Sequence, residues 1–312
     1  VELQRRIVEG AGEFLLFALT PPRLTTEPEQ AGQIAARTLE RLRPVGIDGL
    51  VLYDIDDESD RNPEERPFPF LPTMDPADYL ARDLVGLEVP AIVYRAVSKY
   101  PEQALRAWLS EAPSQALSVF VGASSREKAV ATSLSRAYEL RSEVRPDLVL
   151  GGVAIPERHT RGRGEHVRLL AKQAAGCSFF VTQIVYDVNA AKSLVSDYHY
   201  ECAARDLEPA PIVFTFSVCG SLKTLEFVQW LGVDVPHWIE NELRQRGGHP
   251  RRVLRPGPRH RPRADRILPA PGGAIRAQRR ERLDPPSRDR GLHPPRDPPT
   301  SRATPLVPTT WS

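Results

Sequence analysis

Cysteine is scarce in this 312-residue chain: Cys177, Cys202 and Cys219 show no CxxC spacing and are too few to staple a fold. A domain of this size buries enough core to stand without disulfides, so disulfide scaffolds and zinc ribbons are excluded and a reducing, cytosolic setting is expected. Long apolar runs are missing too. Nothing approaches the roughly 18 consecutive apolar residues of a membrane span. The opening VELQRRIVEGAGE is charged where a secretory leader is apolar, so a soluble protein without membrane attachment is expected. No GxGxxG turn follows the first apolar run, which removes the usual mark of a dinucleotide-binding doubly wound sheet. The acidic segment DIDDESD at 54–60 lacks the glycine and terminal glutamate of a calcium loop. It reads as a solvated or substrate-facing loop, and no metal site is assigned.

Lysine is absent from residues 246–312, which carry 16 arginines against 5 acids, a net charge of +11. The rest has 26 bases and 35 acids, a net charge of −9. Phosphate binding needs clustered cations, so the body makes a poor nucleic-acid surface and only the tail supplies one. From Gln245 onward the chain is rich in Arg, Pro, Gly and Ala and contains no Lys, Asn, Phe or Tyr. Such a segment cannot offset a backbone entropy of about 1–2 kcal/mol per residue, so residues 244–312 are expected to be disordered. Two origins stay open: a basic tail that binds acidic surfaces, or a reading frame lost near Arg244 in GC-rich DNA. The second is preferred, because those four residue types have GC-rich codons.

Between Glu13 and Leu243, short apolar runs alternate with amphipathic stretches, as when a parallel sheet lies buried under helices. The strand candidates are Phe14 to Leu19, Gly49 to Tyr53, Val89 to Tyr94, Ala116 to Val121, Leu148 to Ala154, Ser178 to Thr182 and Ile212 to Thr215. Helix candidates between them include Pro28 to Leu42, Pro101 to Ser110, Arg126 to Glu143, Glu165 to Ala174 and Ala190 to Arg205. Pro28 and Pro101 sit where a first turn tolerates proline. A right-handed succession of seven strand–helix units predicts an α/β fold, a (βα)8-type TIM barrel over residues 1–243. No eighth apolar run follows VPHWIENEL. The barrel is therefore expected to be incomplete, with unpaired first and last strands that invite aggregation or a homo-oligomer joined at the open seam.

Chemistry in such barrels projects from the C-terminal ends of strands. Thr20, Tyr53, Tyr94, Gly122, Glu157, His159 and Gln183 lie at such ends. Gln183 can donate and accept at once, which suits the amide edge of a pterin or a nicotinamide carboxamide. Gly122, Ala123, Ser124 and Ser125 offer backbone N–H groups to a phosphate, or simply a helix cap.

Four segments, met in order, resemble the methylenetetrahydrofolate reductase family. FALTPPR at 17–23 is similar to that family's F-E-x-x-P-P-[RK], and IPERH at 155–159 to its P-E-x-H. AGCSFFVTQIVYD at 175–187 is similar to A-G-A-x-x-x-x-T-Q-x-x-[FY]-D and is the most specific match. VCGSLKTLEFVQWLGVDVPHW at 218–238 resembles the helix before a P-x-W segment. The resemblance covers residues 13 to about 243. It implies a barrel that holds FAD at its mouth, takes reducing equivalents from NAD(P)H, and passes a hydride to 5,10-methylenetetrahydrofolate or a related one-carbon, pterin-like substrate. That activity is an oxidoreductase acting on CH–NH donors.

By resemblance, Tyr53, Tyr94, Gly122, His159, Glu165 and Lys172 fall at cofactor-binding positions, and Gln183, Thr182 and Leu222 at the folate-type substrate. For Glu165 and Lys172, seven apart on one helix face, a solvated surface competes with the cofactor reading. For His159 a rim hydrogen bond competes. Departures from the pattern are as informative. Ala18 stands where the family has its catalytic glutamate, Ala123 where it has an aspartate near the flavin, and Tyr53 and Tyr94 where it has a threonine and a histidine. Alanine cannot deliver a proton, so Asp54, Glu157 and Tyr53 are candidate substitutes, and Gln183, Asp54 and Glu157 are taken as the catalytic set. The two tyrosines would crowd a flavin. This leaves two alternatives open: a flavin-independent reductase using NAD(P)H directly, and a catalytically impaired barrel that binds its ligand as a partner.

Overall fold

The structure, a computed structural model, describes residues 2–59, 62–125, 128–162, 164–247 and 274–277. Seven parallel strands curl around one axis: β1 (Leu15–Leu19), β2 (Gly49–Leu52), β3 (Ala91–Ala96), β4 (Leu117–Val121), β5 (Val149–Ala154), β6 (Phe179–Ile184) and β7 (Ile212–Phe216). The helices that alternate with them are α1 (Glu2–Glu9), α2 (Pro28–Leu42), α3 (Pro76–Asp83), α4 (Glu102–Glu111), α5 (Leu134–Val144), α6 (Pro156–Gly162), α7 (Glu165–Ala174), α8 (Val188–Ala204), α9 (Leu222–Trp230) and α10 (His237–Gly247). The barrel expectation is met, and no described helix is long and apolar enough to cross a membrane.

Helix starts follow side-chain chemistry. The carboxylate of Asp75 accepts the Ala77 and Asp78 N–H groups ahead of α3, and Asp187 does the same for Asn189 and Ala190 ahead of α8. Ser133 caps Arg136 N–H, so α5 begins at Leu134 rather than at Arg126, where periodicity alone would start it.

Strand alternation separates two cores. Leu16 and Ala18 turn inward to join Val51, Ile92, Tyr94, Leu117, Val119, Phe179, Val181 and Val213, while Phe17 and Leu19 pack outward under α2 and α3. The bottom of the barrel is plugged by α1, whose Leu3 and Ile7 enter the interior cluster. Arg6 anchors the plug to Asp48 at 2.9 Å, and the second oxygen of Asp48 accepts Leu15 N–H at 2.7 Å. Gly49 is needed beneath the plug, since a Cβ there would lie 2.5 Å from Leu3 Cδ2. Gly151 is needed higher up, where a Cβ would lie 2.5 Å from the Phe179 ring.

A register shift interrupts the β6–β7 ladder between Val181 and Ile184. Thr182 and Thr215 repair it reciprocally: Thr215 N–H donates to Thr182 Oγ1 at 2.9 Å, and Thr215 Oγ1 donates to the Thr182 carbonyl at 2.7 Å. The irregularity re-aims the residue between, Gln183, as bulges do near sites.

The seam between β7 and β1 is closed, which corrects the expected open edge. Strand β8 (Ala274–Ala277) pairs antiparallel with both, opposing Leu16 and Thr215 with Ile275. It lies inside the stretch expected to be wholly disordered. Being antiparallel, it adds no eighth strand–helix unit. It satisfies backbone groups on two edges that would otherwise be open. The remaining residues after Gly247, and with them the question of the reading frame, lie outside the described residues.

Removing everything after Gly247 should therefore expose the β1 and β7 edges. The shortened protein is expected to associate or aggregate and to melt at lower temperature than the full chain. Light scattering after size exclusion checks this, and a truncated monomer with unchanged melting would show that β8 does not secure the seam.

Candidate functional site

The top of the barrel axis is filled. Tyr53 and Tyr94 meet edge to face at 4.9 Å and 79°, in the interior cluster that holds Ala18. The small Ala18, 0% exposed, leaves room for the two rings. Tyr53 hydrogen-bonds Thr215, and burial pushes its hydroxyl up to about 12; burial raises Tyr94 as well. Neither phenol is poised to give up a proton near neutral pH.

The accessible cleft is displaced to one side, over the ends of β4, β5 and β6, and has a volume of about 470 Å³. Its walls are Ser124 after β4, Ile155, Glu157, Arg158 and Arg161 around the start of α6, Gln183 of β6, and Gln229 to Gly232 at the end of α9. Its roof is Asn62 to Glu64 from the β2–α3 connection. The roof is tied to α9 by Asn62 Nδ2 donating to the Trp230 carbonyl at 2.8 Å and Trp230 Nε1 donating to the Glu64 carbonyl at 2.9 Å. Arg66 adds cation–π contacts to Phe227 at 5.1 Å and Trp230 at 5.7 Å.

Two polar side chains mark this cleft. Gln183 Nε2 donates to the Leu231 carbonyl at 3.1 Å, which leaves a second N–H and the amide oxygen for a ligand. Glu157 is only 2% exposed, and its Oε2 has no hydrogen-bond partner among the described residues. Burial raises its pKa, against the opposing effect of the backbone N–H groups of residues 157 and 234. A buried carboxyl with an unused oxygen is costly as an anion and serviceable as a proton donor.

Other residues singled out in the sequence are already engaged. Asp54 accepts Ala96 N–H at 2.8 Å and Tyr100 Oη–H at 2.9 Å and pairs with Lys99, so it is no free acid. The hydroxyl oxygen of Thr182 accepts Thr215 N–H in the ladder repair, and Leu222 is half-buried outside the cleft lining. Gly122 backs onto Leu134, and its neighbour Ser124 reaches the cleft instead.

Glu165 is buried and accepts Ile155 N–H at 3.1 Å. Lys172 runs outside β5 past Gly152 to donate to the Val153 carbonyl, and burial lowers its pKa, with Glu165 pulling it back. Neither is a solvated surface group. His159 is buried between α6 and α8 against Asp197. The flavin implied by the family resemblance does not fit this set: apart from one buried oxygen of Glu165, its expected contacts are committed to helix and strand packing, and the two tyrosines occupy the axis.

Asn62, Glu64, Arg161 and Trp230 were not identified from the sequence. Only Trp230 had a signal, the W-L-G-V-D-V-P segment at 230–236, which the order of motifs placed but did not orient.

No family model matches the chain, and no curated protein matches it. Among solved structures it is similar to a Clostridium thermocellum protein that binds two copies of 5-methyl-5,6,7,8-tetrahydrofolic acid, with 40% identity over 78% of this chain and 80% of that one, and a TM-score of 0.68. It is also similar to 2,3-dimethylmalate lyase, a PEP mutase/isocitrate lyase superfamily member, at 12% identity over 75% of this chain and 78% of that one, with a TM-score of 0.44.

Two outcomes follow from this geometry. Ala18→Glu should destabilise the protein by at least the roughly 1–3 kcal/mol of overpacking, with no gain in proton delivery, because the added carboxyl enters a filled interior. Thermal melting checks it, and a stable variant would mean that the axis has room. For Glu157, the folded state holds a proton above the ordinary glutamate range that the unfolded chain has lost, so stability falls as pH rises through that window. Glu157→Gln should therefore be more stable than the parent above the window and lose that advantage toward acid pH. Urea titrations at neutral and mildly acid pH measure the difference, and a constant offset would argue against the raised pKa.

Proposed function

The chain belongs to the same family as the Clostridium thermocellum protein that binds two copies of 5-methyl-5,6,7,8-tetrahydrofolic acid, and from that premise we propose that its side cleft takes a reduced folate. We further propose that the protein is a methylenetetrahydrofolate reductase-like oxidoreductase that uses NAD(P)H directly. The observation that carries the reading is the pairing of Gln183 and Glu157 in one cleft, an amide with free donor and acceptor capacity beside a buried carboxyl with an unused oxygen.

In this reading Gln183 bonds the amide edge of the pterin. A hydride passes from the nicotinamide ring to the methylene carbon of 5,10-methylenetetrahydrofolate, and the bond from that carbon to one folate nitrogen breaks. Protonated Glu157 gives its proton to the departing nitrogen, which yields 5-methyltetrahydrofolate and NAD(P)+. Glu157 thus takes the role that Ala18 cannot fill, and general acid help of this kind is worth about 10²–10⁴ in rate. Direct transfer is preferred to a flavin relay because Tyr53 and Tyr94 fill the axis where the relay would sit. Arg158 and Arg161 line the cleft and suit the carboxylates of a folate tail.

Ala18 also favours a second reading, a barrel that binds folate without turning it over. The purified protein is expected to be colourless and to oxidise NADH or NADPH only when methylenetetrahydrofolate is present. Gln183→Ala should weaken folate binding about tenfold, the loss of roughly one hydrogen bond. Glu157→Gln should lower kcat with little change in KM. Folate binding without nicotinamide oxidation would support the second reading. Bound flavin, or folate affinity indifferent to Gln183, would overturn the site assignment.

A further inference from the structure

Away from the cleft, three helices bring two histidines and an aspartate together. His159 of α6, His166 of α7 and Asp197 of α8 each place a donor atom within 4.8 Å of the others. The cluster shares α6 with the folate cleft but no lining residue, since Glu157, Arg158 and Arg161 face the cleft while His159 and Thr160 face α8.

The geometry fixes a tautomer. His159 is 2% exposed, and its Nε2 lies 3.0 Å from Asp197 Oδ2. A carboxylate can only accept, so Nε2 carries the proton of the neutral ring and Nδ1 is left as a bare lone pair. That lone pair faces the Nδ1 of His166 at 3.4 Å, with the rings 5.2 Å apart at 83°. The separation is long for a hydrogen bond to nitrogen. It matches the roughly 3.3–3.4 Å between two ligands of a tetrahedral ion with bonds of about 2.0–2.1 Å.

We infer that His159 and His166 bind a late first-row divalent cation through their Nδ1 atoms, with Asp197 as the positioning residue. A carboxylate holding the far N–H of a ligating imidazole is the ordinary way such a ring is oriented. Paired imidazoles favour zinc, nickel or copper over magnesium or calcium, which prefer oxygen. A neighbouring cleft of about 560 Å³, lined by His159, Lys192 and Asp197, supplies an entry path and space for waters in the remaining positions. Lys192 is exposed, so its ammonium is free to swing into solvent.

The test is a titration of the chelator-treated full chain with Zn²⁺, followed by calorimetry, together with Co²⁺ absorption to report coordination geometry. One equivalent of Zn²⁺ is expected, with a tetrahedral-type Co²⁺ spectrum. His166→Ala, at a partly exposed position, should abolish the site. Asp197→Asn, on the surface, should weaken affinity by about 10–100-fold. His199→Ala should leave binding unchanged, and circular dichroism confirms that each variant is folded. The absence of stoichiometric binding in the parent would overturn the inference, and so would binding indifferent to both His166→Ala and Asp197→Asn. Folate affinity and nicotinamide oxidation should be unaltered in Asp197→Asn, so this site and the cleft reading fail or stand separately.

Discussion

The side chains that close the top of the barrel axis set the terms for everything above them. Ala18 is small, Tyr53 and Tyr94 are large, and together with Thr215 they fill the layer where a barrel of this kind would otherwise open. Close packing permits no half-measures here, because an interior at crystal-like density accepts added volume only by straining its neighbours. A ligand therefore cannot descend the axis. The accessible cleft lies to one side, between α6, the end of α9 and the roof at 62–64.

That displacement explains why an irregular ladder is tolerated between β6 and β7. A regular strand would alternate Gln183 with its neighbours, whereas the shift past Val181 turns it to the Leu231 carbonyl at the cleft wall. The cost of the broken ladder is met by the paired threonines, which return two hydrogen bonds at the point of disruption. Glu157 shows the opposite balance. Its buried, unpartnered oxygen is a standing penalty on stability, and such penalties concentrate where a group is held ready for a ligand.

Several residues of catalytic type serve as scaffold. Asp54, Lys99 and Tyr100 tie the loop after β2 to the end of β3. Arg95, 3% exposed, pairs with Asp75 and stacks over Trp108 at 4.3 Å. Buried pairs like these contribute little net stability, yet losing one partner is severe because the other charge is left unpaired. Their worth is positional, since they hold the roof-bearing connection between β2 and α3 against the body of the barrel.

From the sequence alone, the seven alternating units were legible, because a buried parallel sheet writes its period directly into apolar spacing, whereas the cap at Ser133 that starts α5 was not. The family resemblance of the segment at 175–187 and the candidacy of Gln183 and Glu157 were legible as well. The fates of Asp54, Glu165, Lys172 and Thr182 were not. Each has the right chemistry at the right strand end or helix face, and only the tertiary contacts with Tyr100, Ile155, Val153 and Thr215 show what its polar atoms bond, with the second oxygen of Glu165 left without a hydrogen bond. Nor could spacing bring His159, His166 and Asp197 together or place Ala274–Ala277 across the seam, since both depend on pairings between segments far apart in the chain. Local pattern determines which residues turn inward; which inward polar atom remains free is decided by what folds against it.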